Sequence, residues 1–412
     1  MLKTIIASTR ECDDAEYAVK EILSQLKLDQ NDTLKKNTIG IISSYWDFVF
    51  TGVYQAVCEK LPFDVVGGIC STQSANGEDD DLIFSITVLT SDEISFKSVL
   101  TSSVVLDADK AVGGAYSQAI ADGLIPSLAC IYAPYLVDKN CGDTYVRAFN
   151  KVSGNGIVSP VPFFGTLSLD DSPDSSHPVV LHNGKYYEEQ AVMLFFYGEI
   201  KAKFYIGTVL GADPNVKEED KTGASIISSE AKVTAAAENR LFEVNGRPVA
   251  DFLNSLGMLE ASKKLFAMVG FPFLVDLGDG TPPSLNYIIK YVEDEGYVLC
   301  GGDVYVGSTL RMYQNDSNSI IKTTRLALTK AIEENPDAEL FLSYPCQSRE
   351  WALGAADQAG AEKALFDEMV SGLPVNRLMV YSGGEICPVG KVGDNYANRF
   401  QGITFTLVVL SN

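Results

Sequence analysis

A strand–helix–strand pattern with tyrosine and glycine at the same places occurs three times along the chain. This recurrence constrains the fold more than any other feature. Apolar strand segments frame helical stretches at 39–69, 127–165 and 340–384. In each copy a tyrosine follows the first strand and glycine follows the second. The tyrosines are Tyr45, Tyr135 and Tyr344, and the glycines are Gly67 and Gly68, Gly165, and Gly383 and Gly384. Recurrence of this kind predicts a mixed α/β fold built from related units, not one continuous doubly wound sheet.

The segments around these units predict further elements. Apolar residues recur at helical spacing over 13–28, which predicts an amphipathic opening helix. The apolar runs at 191–197 and 204–210 are separated by a short polar turn, which predicts neighbouring antiparallel strands. The polar tracts at 170–176 and 213–223 have the composition of exposed loops.

A boundary between two modules is predicted where Asn245-Gly246 forms a turn before a helical stretch at 248–256. The chain then divides into an N-terminal helix over 1–37, a first module over 38–246 and a second module over 247–412.

Charge and apolar patterning exclude several classes of partner. A net charge of -22 repels phosphate backbones and anionic lipid headgroups, so neither nucleic acid nor a membrane surface is an expected partner. Charged residues from Arg10 onward interrupt any signal-peptide pattern, and no apolar run is long enough to span a bilayer, so membrane insertion is not expected. A cytoplasmic location is the expectation.

Few residues and motifs of the chain are of the kinds that usually act in catalysis or bind metal ions. The eight cysteines form no Cys-x-x-Cys pair, and several lie in apolar runs where a thiol behaves as a small hydrophobe. Only His177 and His182 are available, which excludes a zinc site built from several histidines. Signatures of nucleotide-binding loops, serine hydrolases and metalloproteases are absent from the chain. No cofactor is expected, and binding is favoured over catalysis.

Two segments of the C-terminal third lie at strand ends, where open α/β sheets bind ligands. They are Leu342-Ser343-Tyr344-Pro345-Cys346-Gln347-Ser348-Arg349 and Tyr381-Ser382-Gly383-Gly384-Glu385-Ile386-Cys387-Pro388. Together with Phe271-Pro272-Phe273, Asn398-Arg399-Phe400 and a final strand over 403–410, they give a chain that resembles the FIST family. The resemblance implies paired N- and C-terminal sensory and signal-transduction modules that bind small ligands such as amino acids.

One departure from the family pattern bears on cofactors. Gln401 stands where the family often has a histidine, and this weakens the analogy with FIST-like proteins that would act as haem-based gas sensors. A haem sensor therefore remains an alternative and not the main hypothesis.

The ligand site is predicted where the two C-terminal segments meet, with Arg349 facing a ligand carboxylate and Glu385 an ammonium group. Arg349 has an alternative role in a structural ion pair with Glu350 or another nearby acid. The tyrosines have an alternative role as core aromatics. The candidate ligand-binding residues are Cys346, Arg349, Glu385, Gly384, Tyr381, Tyr344, Tyr45 and Asn398.

The function predicted from these residues is an intracellular sensor of amino acids or similar metabolites. The chain shows no evident output region, so signalling through a separate protein is expected. The alternatives are a cysteine-dependent enzyme that uses Cys346 and a protein-interaction scaffold without a small ligand. An enzyme requires an exposed Cys346 thiol with a low pKa and a base within reach. A scaffold predicts a sizeable exposed apolar patch in place of a polar pocket, and the predicted zwitterion site requires Cys346, Arg349 and Glu385 to converge on one cavity.

Overall fold

The computed structural model describes residues 1–28, 33–79, 82–136, 139, 141–170, 172, 177–208 and 225–412. Of the predicted loops, the tract at 213–223 lies outside the described residues, and only residues 170 and 172 of the other tract are described. The helices within the described ranges are α1 (Ala15–Leu26), α2 (Trp46–Phe50), α3 (Val53–Cys58), α4 (Ala108–Ala119), α5 (Gly142–Ser153), α6 (Val249–Ser255), α7 (Leu259–Ser262), α8 (Ser317–Glu334), α9 (Gln347–Gly354) and α10 (Ala361–Val370).

The described strands form four sheets, three of which have six strands each. In spatial order, the first sheet contains β1 (Leu2–Thr9), β6 (Phe84–Ser91), β2 (Asn37–Ser44), β3 (Asp64–Ile69), β10 (Val180–His182) and β11 (Lys185–Tyr187). The second contains β7 (Ser95–Ser103), β12 (Gln190–Tyr197), β8 (Leu128–Pro134), β9 (Phe163–Ser168), β25 (Glu385–Val392) and β26 (Asn395–Gln401). The third contains β13 (Lys201–Thr208), β27 (Thr404–Ser411), β23 (Ala338–Ser343), β24 (Asn376–Tyr381), β4 (Thr72–Ala75) and β5 (Glu78–Asp79).

These three sheets share one plan, which confirms the three predicted strand–helix–strand units and the mixed α/β class. Each sheet has a single parallel pair at its centre, β2 with β3, β8 with β9, and β23 with β24, and its other pairs are antiparallel. Tyr45, Tyr135 and Tyr344 directly follow the first strand of their pair, as predicted. The glycines need a correction: Gly67 and Gly165 lie inside the second strand of the pair, and only the third unit has its glycines after that strand.

The hairpin that follows each unit joins the sheet of a different unit. The β4–β5 hairpin of the first unit pairs with β24 in the third sheet. The β10–β11 hairpin of the second unit pairs with β3 in the first sheet, and the β25–β26 hairpin of the third unit pairs with β9 in the second sheet. The three sheets are therefore linked in a closed cycle. The second and third sheets also each combine strands from both sides of the predicted boundary at residue 246.

The predicted opening helix and the predicted turn are confirmed. Asp14 caps α1 by accepting from the backbone N–H groups of Glu16 and Tyr17. Asn245 and Gly246 connect the strands Arg240–Val244 and Arg247–Pro248 with φ angles of 54° and 72°, which is the positive-φ geometry of a tight hairpin turn.

One strand was not predicted, and one prediction of strand pairing is wrong. The chain opens with β1, which the sequence pattern did not reveal and which lies at the edge of the first sheet. The strands predicted at 191–197 and 204–210 are not neighbours, because β12 pairs with β7 and β8 whereas β13 pairs with β27. Residues 209 and 210 lie outside the described residues. A polar turn between two strands is thus compatible with a change of sheet as well as with a hairpin.

The fourth sheet is wholly antiparallel and lies between the second and third units in sequence. Its strands are β19 (Ser284–Asn286), β18 (Phe273–Asp276), β22 (Thr309–Gln314), β15 (Ala231–Ala237), β16 (Arg240–Val244), β21 (Tyr297–Cys300) and β20 (Ile288–Val292), with β14 (Ser225–Ile226) beside β22 and β17 (Arg247–Pro248) beside β16. The sheet docks on the end of β26: Leu285 donates its N–H to Gln401 Oε1 at 3.0 Å, and its carbonyl accepts from Gly402 N at 3.0 Å.

None of the helices in the described ranges is both long and apolar enough to cross a membrane.

Candidate functional site

A cavity lies beyond the carboxyl ends of β23 and β24, where the chain passes from the third sheet into the second. Its interior measures about 20 Å³, which is room for about one water molecule, and the space free of protein atoms reaches about 270 Å³ only when the open mouth is counted. We call it the Cys346 cavity. It is lined by Cys346, Gln347, Ser348, Trp351, Ser382 and Gly383 from the third unit, by Tyr135 and Leu169 from the second unit, and by Phe266, Val269 and Tyr287 from the segment that forms the fourth sheet.

Backbone hydrogen bonds hold the two loops of the third unit side by side. Cys346 and Ser382 form an isolated parallel bridge that continues the pairing of β23 with β24. Gln347 N donates to the Ser382 carbonyl at 2.8 Å, and Gly383 N donates to the carbonyl of Leu167 in β9 at 2.9 Å. Since both strands are parallel, their carboxyl ends meet at one edge and the two segments lie side by side. Of Cys346, Arg349 and Glu385, which were predicted to converge on one cavity, Cys346 alone lines it.

Cys346 is the predicted site residue that reaches the cavity. It occupies the N-cap position of α9 without a capping hydrogen bond from its side chain, it is 3% exposed, and its Sγ lies 2.8 Å from Ser348 Oγ. Burial, reinforced by the charge of Glu385, raises the pKa of the thiol to about 12. The thiol is therefore neutral at pH 7, which is the opposite of what a cysteine nucleophile requires.

Arg349 lies behind the cavity in a buried network. Its Nη2 is 2.6 Å from Oε1 of Glu362, and both side chains are fully buried. Arg349 also donates to the carbonyls of Ile320 and Ile403 and to the hydroxyl of Thr324. Of the two roles considered from the sequence, the structure shows the ion pair, formed with Glu362 and not Glu350. The proposed contact with a ligand carboxylate is corrected accordingly.

Glu385 is fully buried beside Cys346 and does not line the cavity. Its Oε2 accepts a hydrogen bond from the Thr404 hydroxyl, whereas its Oε1 has no protein partner. Burial raises the pKa of Glu385 well above its usual range, and Thr404, Arg349 and the Cys346 thiol lower it only in part. Burial therefore favours the neutral, protonated form of this carboxyl group.

The remaining predicted site residues lie in the core and not on the cavity wall. Tyr344 shares a 2.6 Å hydrogen bond with the Tyr132 hydroxyl, and Tyr381 donates to Glu362 Oε2 at 2.7 Å. Tyr45 is 2% exposed. Their alternative role as core aromatics fits these positions.

Asn398 and Gly384 are also explained by packing. Asn398 accepts from the N–H of Phe163 at 3.0 Å and donates to Asn150 Oδ1 at 3.1 Å, which joins β26 to the start of β9. A Cβ on Gly384 would lie 2.4 Å from the ring of Phe400, so this glycine gives room to an aromatic side chain and not to a ligand.

Four aromatic residues of the wall were not among the predicted site residues. Phe266 lies between Tyr135 and Trp351, with ring centroids at 6.4 Å and 5.6 Å respectively. The hydroxyls of Tyr135 and Tyr287 are 2.9 Å apart. Tyr135 carried a signal as the repeated tyrosine of the second unit. Phe266 and Tyr287 carried none, because they lie outside the three units, in the segment that forms the fourth sheet.

A second group of side chains could attract a metal ion. One ligand atom each from Cys141, Asp143 and Asp303 lies within 4.8 Å of the others. The Arg147 guanidinium contacts Asp303, and burial raises the pKa of the Cys141 thiol to about 11 and that of Asp143 to about 6. A neutral thiol and a resident arginine suit an ion-paired cluster better than a cation site.

Comparison with known families gives two matches that together cover most of the chain. The FIST N domain model matches residues 39–247. The FIST C domain model matches residues 250–388. No curated protein matches the chain.

Proposed function

The chain belongs to the FIST family, whose domains are sensory and signal-transduction modules, and from that premise we propose that it senses a small molecule bound in the Cys346 cavity. The ligand class is amino acids or related metabolites. The single observation that carries the proposal is that three separate parts of the chain build one cavity wall. A ligand held there touches all three and favours the arrangement in which they are closed together.

The chemistry of the wall supports binding over catalysis. Its lining is mainly apolar and aromatic, with a few hydroxyl and amide groups, which is the usual make-up of a small-molecule site. Cys346 is neutral, so nucleophilic attack by its thiolate is disfavoured. Neither histidine is on the wall: His177 stacks on Trp46 at 4.4 Å, and His182 Nε2 lies 3.1 Å from Ser98 Oγ. A haem ligated by histidine would therefore need a different location.

Transmission to a separate protein is the second part of the proposal. The segment that carries Phe266 and Val269 leads directly into β18 of the fourth sheet, whereas Trp351 belongs to α9. A ligand that draws these side chains together would shift the fourth sheet relative to the third unit. A partner protein that contacts both the fourth sheet and the third unit would bind the shifted arrangement with a different affinity.

The cavity assignment predicts that Val269→Phe blocks ligand binding. A thermal-shift screen of the protein with amino acids and related metabolites identifies a ligand first, because a molecule that binds only the native state raises its melting temperature. Val269 is only partly buried, so the larger side chain can be accommodated towards the mouth without unfolding the protein. We expect at least a tenfold weaker affinity, which is about 1.4 kcal/mol.

Val306→Phe is the matched control, because Val306 is 63% exposed and does not line the cavity. This variant should bind the ligand like the unmodified protein. Equal binding by the two variants would place the ligand elsewhere, and a screen in which no compound stabilises the protein would remove the proposed function itself.

A further inference from the structure

We propose that the fourth sheet is a lid over the Cys346 cavity, hinged on the third unit and latched to the second sheet by ion pairs. This inference rests on the proposed function, because it states how a ligand reaches the site. The interior of the cavity holds about one water molecule, whereas even the smallest amino acid is several times larger. A ligand of the proposed class therefore needs part of the wall to move. Phe266, Val269 and Tyr287 are the part of the wall that the segment of the fourth sheet supplies.

The fourth sheet is an addition to the plan that the three units share. In the first unit β1 leads through α1 to the parallel pair, and in the second unit β7 leads through α4. In the third unit the fourth sheet comes between β13 and α8. It has an apolar core of its own, which includes Val233, Leu241 and Val298. The first two units are complete without such an addition, so the fourth sheet can move as one layer while the three-sheet core stays intact.

The hinge side of the lid is apolar and lies on the third unit. Leu299 of the fourth sheet packs in one cluster with Ile320 of α8 and Leu353 of α9. The chain also passes from β22 into α8 at this side, through residues 315 and 316. Apolar burial and a covalent connection act at the same place, so this side of the lid stays attached when the other side separates.

The latch side of the lid is charged and lies against the second sheet and its helix α5. Arg147 of α5 contacts Asp303, whose Oδ1 also accepts from the Cys141 thiol at 3.2 Å. Arg399 of β26 lies 2.7 Å from Asp279. Both acids belong to the lid. The side chains of Arg147 and Asp279 are 35% and 24% exposed, so water reaches these charges and solvates them on separation. Separating this side therefore costs less free energy than separating the apolar side.

Alkylation of Cys141 by iodoacetamide in the native protein measures lid opening without any ligand. Cys141 is buried against Asp303, whereas Cys130 is buried in β8 at the centre of the second sheet. Lid opening exposes the first thiol and not the second. Each rate is divided by the rate in urea-unfolded protein, and the modified peptides are quantified by mass spectrometry. We expect Cys141 to react at least about tenfold faster than Cys130 on this scale.

Arg147→Gln removes a latch contact and should accelerate Cys141 by about a further tenfold, with the Cys130 rate unchanged. Burial raises the pKa of the Cys141 thiol, and the Arg147 charge offsets part of that rise. Loss of the charge alone would therefore slow alkylation, so a faster rate reports opening. Lys151→Gln is the matched control, because Lys151 lies on the same helix and pairs with Asp109 of α4, outside the lid. It should leave both rates unchanged.

A crosslink tests whether the lid controls access to the cavity. Asp303→Cys would place a second thiol beside Cys141, and oxidation of the two thiols should lock the lid to α5. In the oxidised protein, iodoacetamide should alkylate Cys346 at least about tenfold more slowly than after reduction of the crosslink. Asp303→Ser cannot form the crosslink and should give equal rates under the two conditions. If no crosslink forms, the comparison of Arg147→Gln with Lys151→Gln decides.

Three results would overturn the lid: equal normalised rates for Cys141 and Cys130, no acceleration by Arg147→Gln, or equal alkylation of Cys346 with and without the crosslink. Because alkylation needs no ligand, the two proposals fail separately. If amino acids stabilise the protein but these rates contradict the lid, the sensory function stands and only the lid fails. If no amino acid binds, the sensory function fails, and the rates still decide whether the lid opens.

Discussion

Arg349→Ala should destabilise the protein by about 3–5 kcal/mol, although the sequence had indicated a ligand contact whose removal leaves the fold intact. The variant removes the cation paired with the fully buried Glu362 and leaves its carboxylate in an environment that cannot solvate it. It also breaks the hydrogen bonds to Ile320 and Ile403, which connect α9 to α8 and to the chain just before β27. Urea unfolding, followed by far-ultraviolet circular dichroism, measures the loss.

Arg325→Ala serves as the control, because Arg325 is exposed on α8, and its loss should change the free energy of unfolding by less than about 0.5 kcal/mol. The double variant Arg349→Met with Glu362→Leu should be more stable than Arg349→Ala, since it leaves no unpaired buried charge. A loss below about 1 kcal/mol for Arg349→Ala would show that the ion pair is not formed, and would return Arg349 to the list of candidate ligand contacts.

Gly165→Ala should destabilise the protein by more than about 3 kcal/mol, because the central parallel pair of the second sheet has no room for a side chain there. The new Cβ would lie 2.0 Å from the carbonyl oxygen of Ile131 in β8, and the φ angle of +149° is one that alanine rarely adopts. The two strands would have to separate at the point where they are hydrogen-bonded. Thermal and urea unfolding measure the effect, and the variant is expected to be recovered in low yield.

The helical glycine Gly114 provides a matched comparison. A Cβ at this position meets no atom within 4 Å, and the residue lies in the middle of α4. Gly114→Ala should therefore raise the stability by about 0.5–1 kcal/mol through the lower entropy of the unfolded chain. If Gly165→Ala unfolds at the same urea concentration as the unmodified protein, the backbone of β8 and β9 is not paired as described.

The three units were predictable because their signals are local. The tyrosine after each first strand and the glycines near each second strand are short-range features, and apolar runs of strand length beside helical periodicity specify secondary structure within one unit. The helix Ala15–Leu26 and the turn at Asn245-Gly246 were found for the same reason. The strand Leu2–Thr9 was missed, because it contains mixed polar and apolar residues without a bounding turn signal.

The cavity could be located only in part. The segments that contain Cys346 and Ser382 were identified from their position after two strands, and the structure brings them together. The opposite wall could not be found, because Phe266 and Tyr287 lie beside strands of the fourth sheet, in a segment that no motif connects to these loops. A long-range contact of this kind depends on how sheets dock, and docking leaves no short-range pattern in the sequence.

The sequence by itself determined the mixed α/β class, the three parallel pairs and the edge at which the C-terminal loops meet, since strand and helix periodicity and the chirality of crossovers act within tens of residues. Only the tertiary structure decided which sheet each hairpin joins and which acid Arg349 faces. The pairing of Arg349 with Glu362 instead of a ligand, and the absence of a partner for Glu385, depend on distances of a few ångströms between side chains on different elements. Coulomb energies in a buried site change steeply over such distances, and residue order does not encode them.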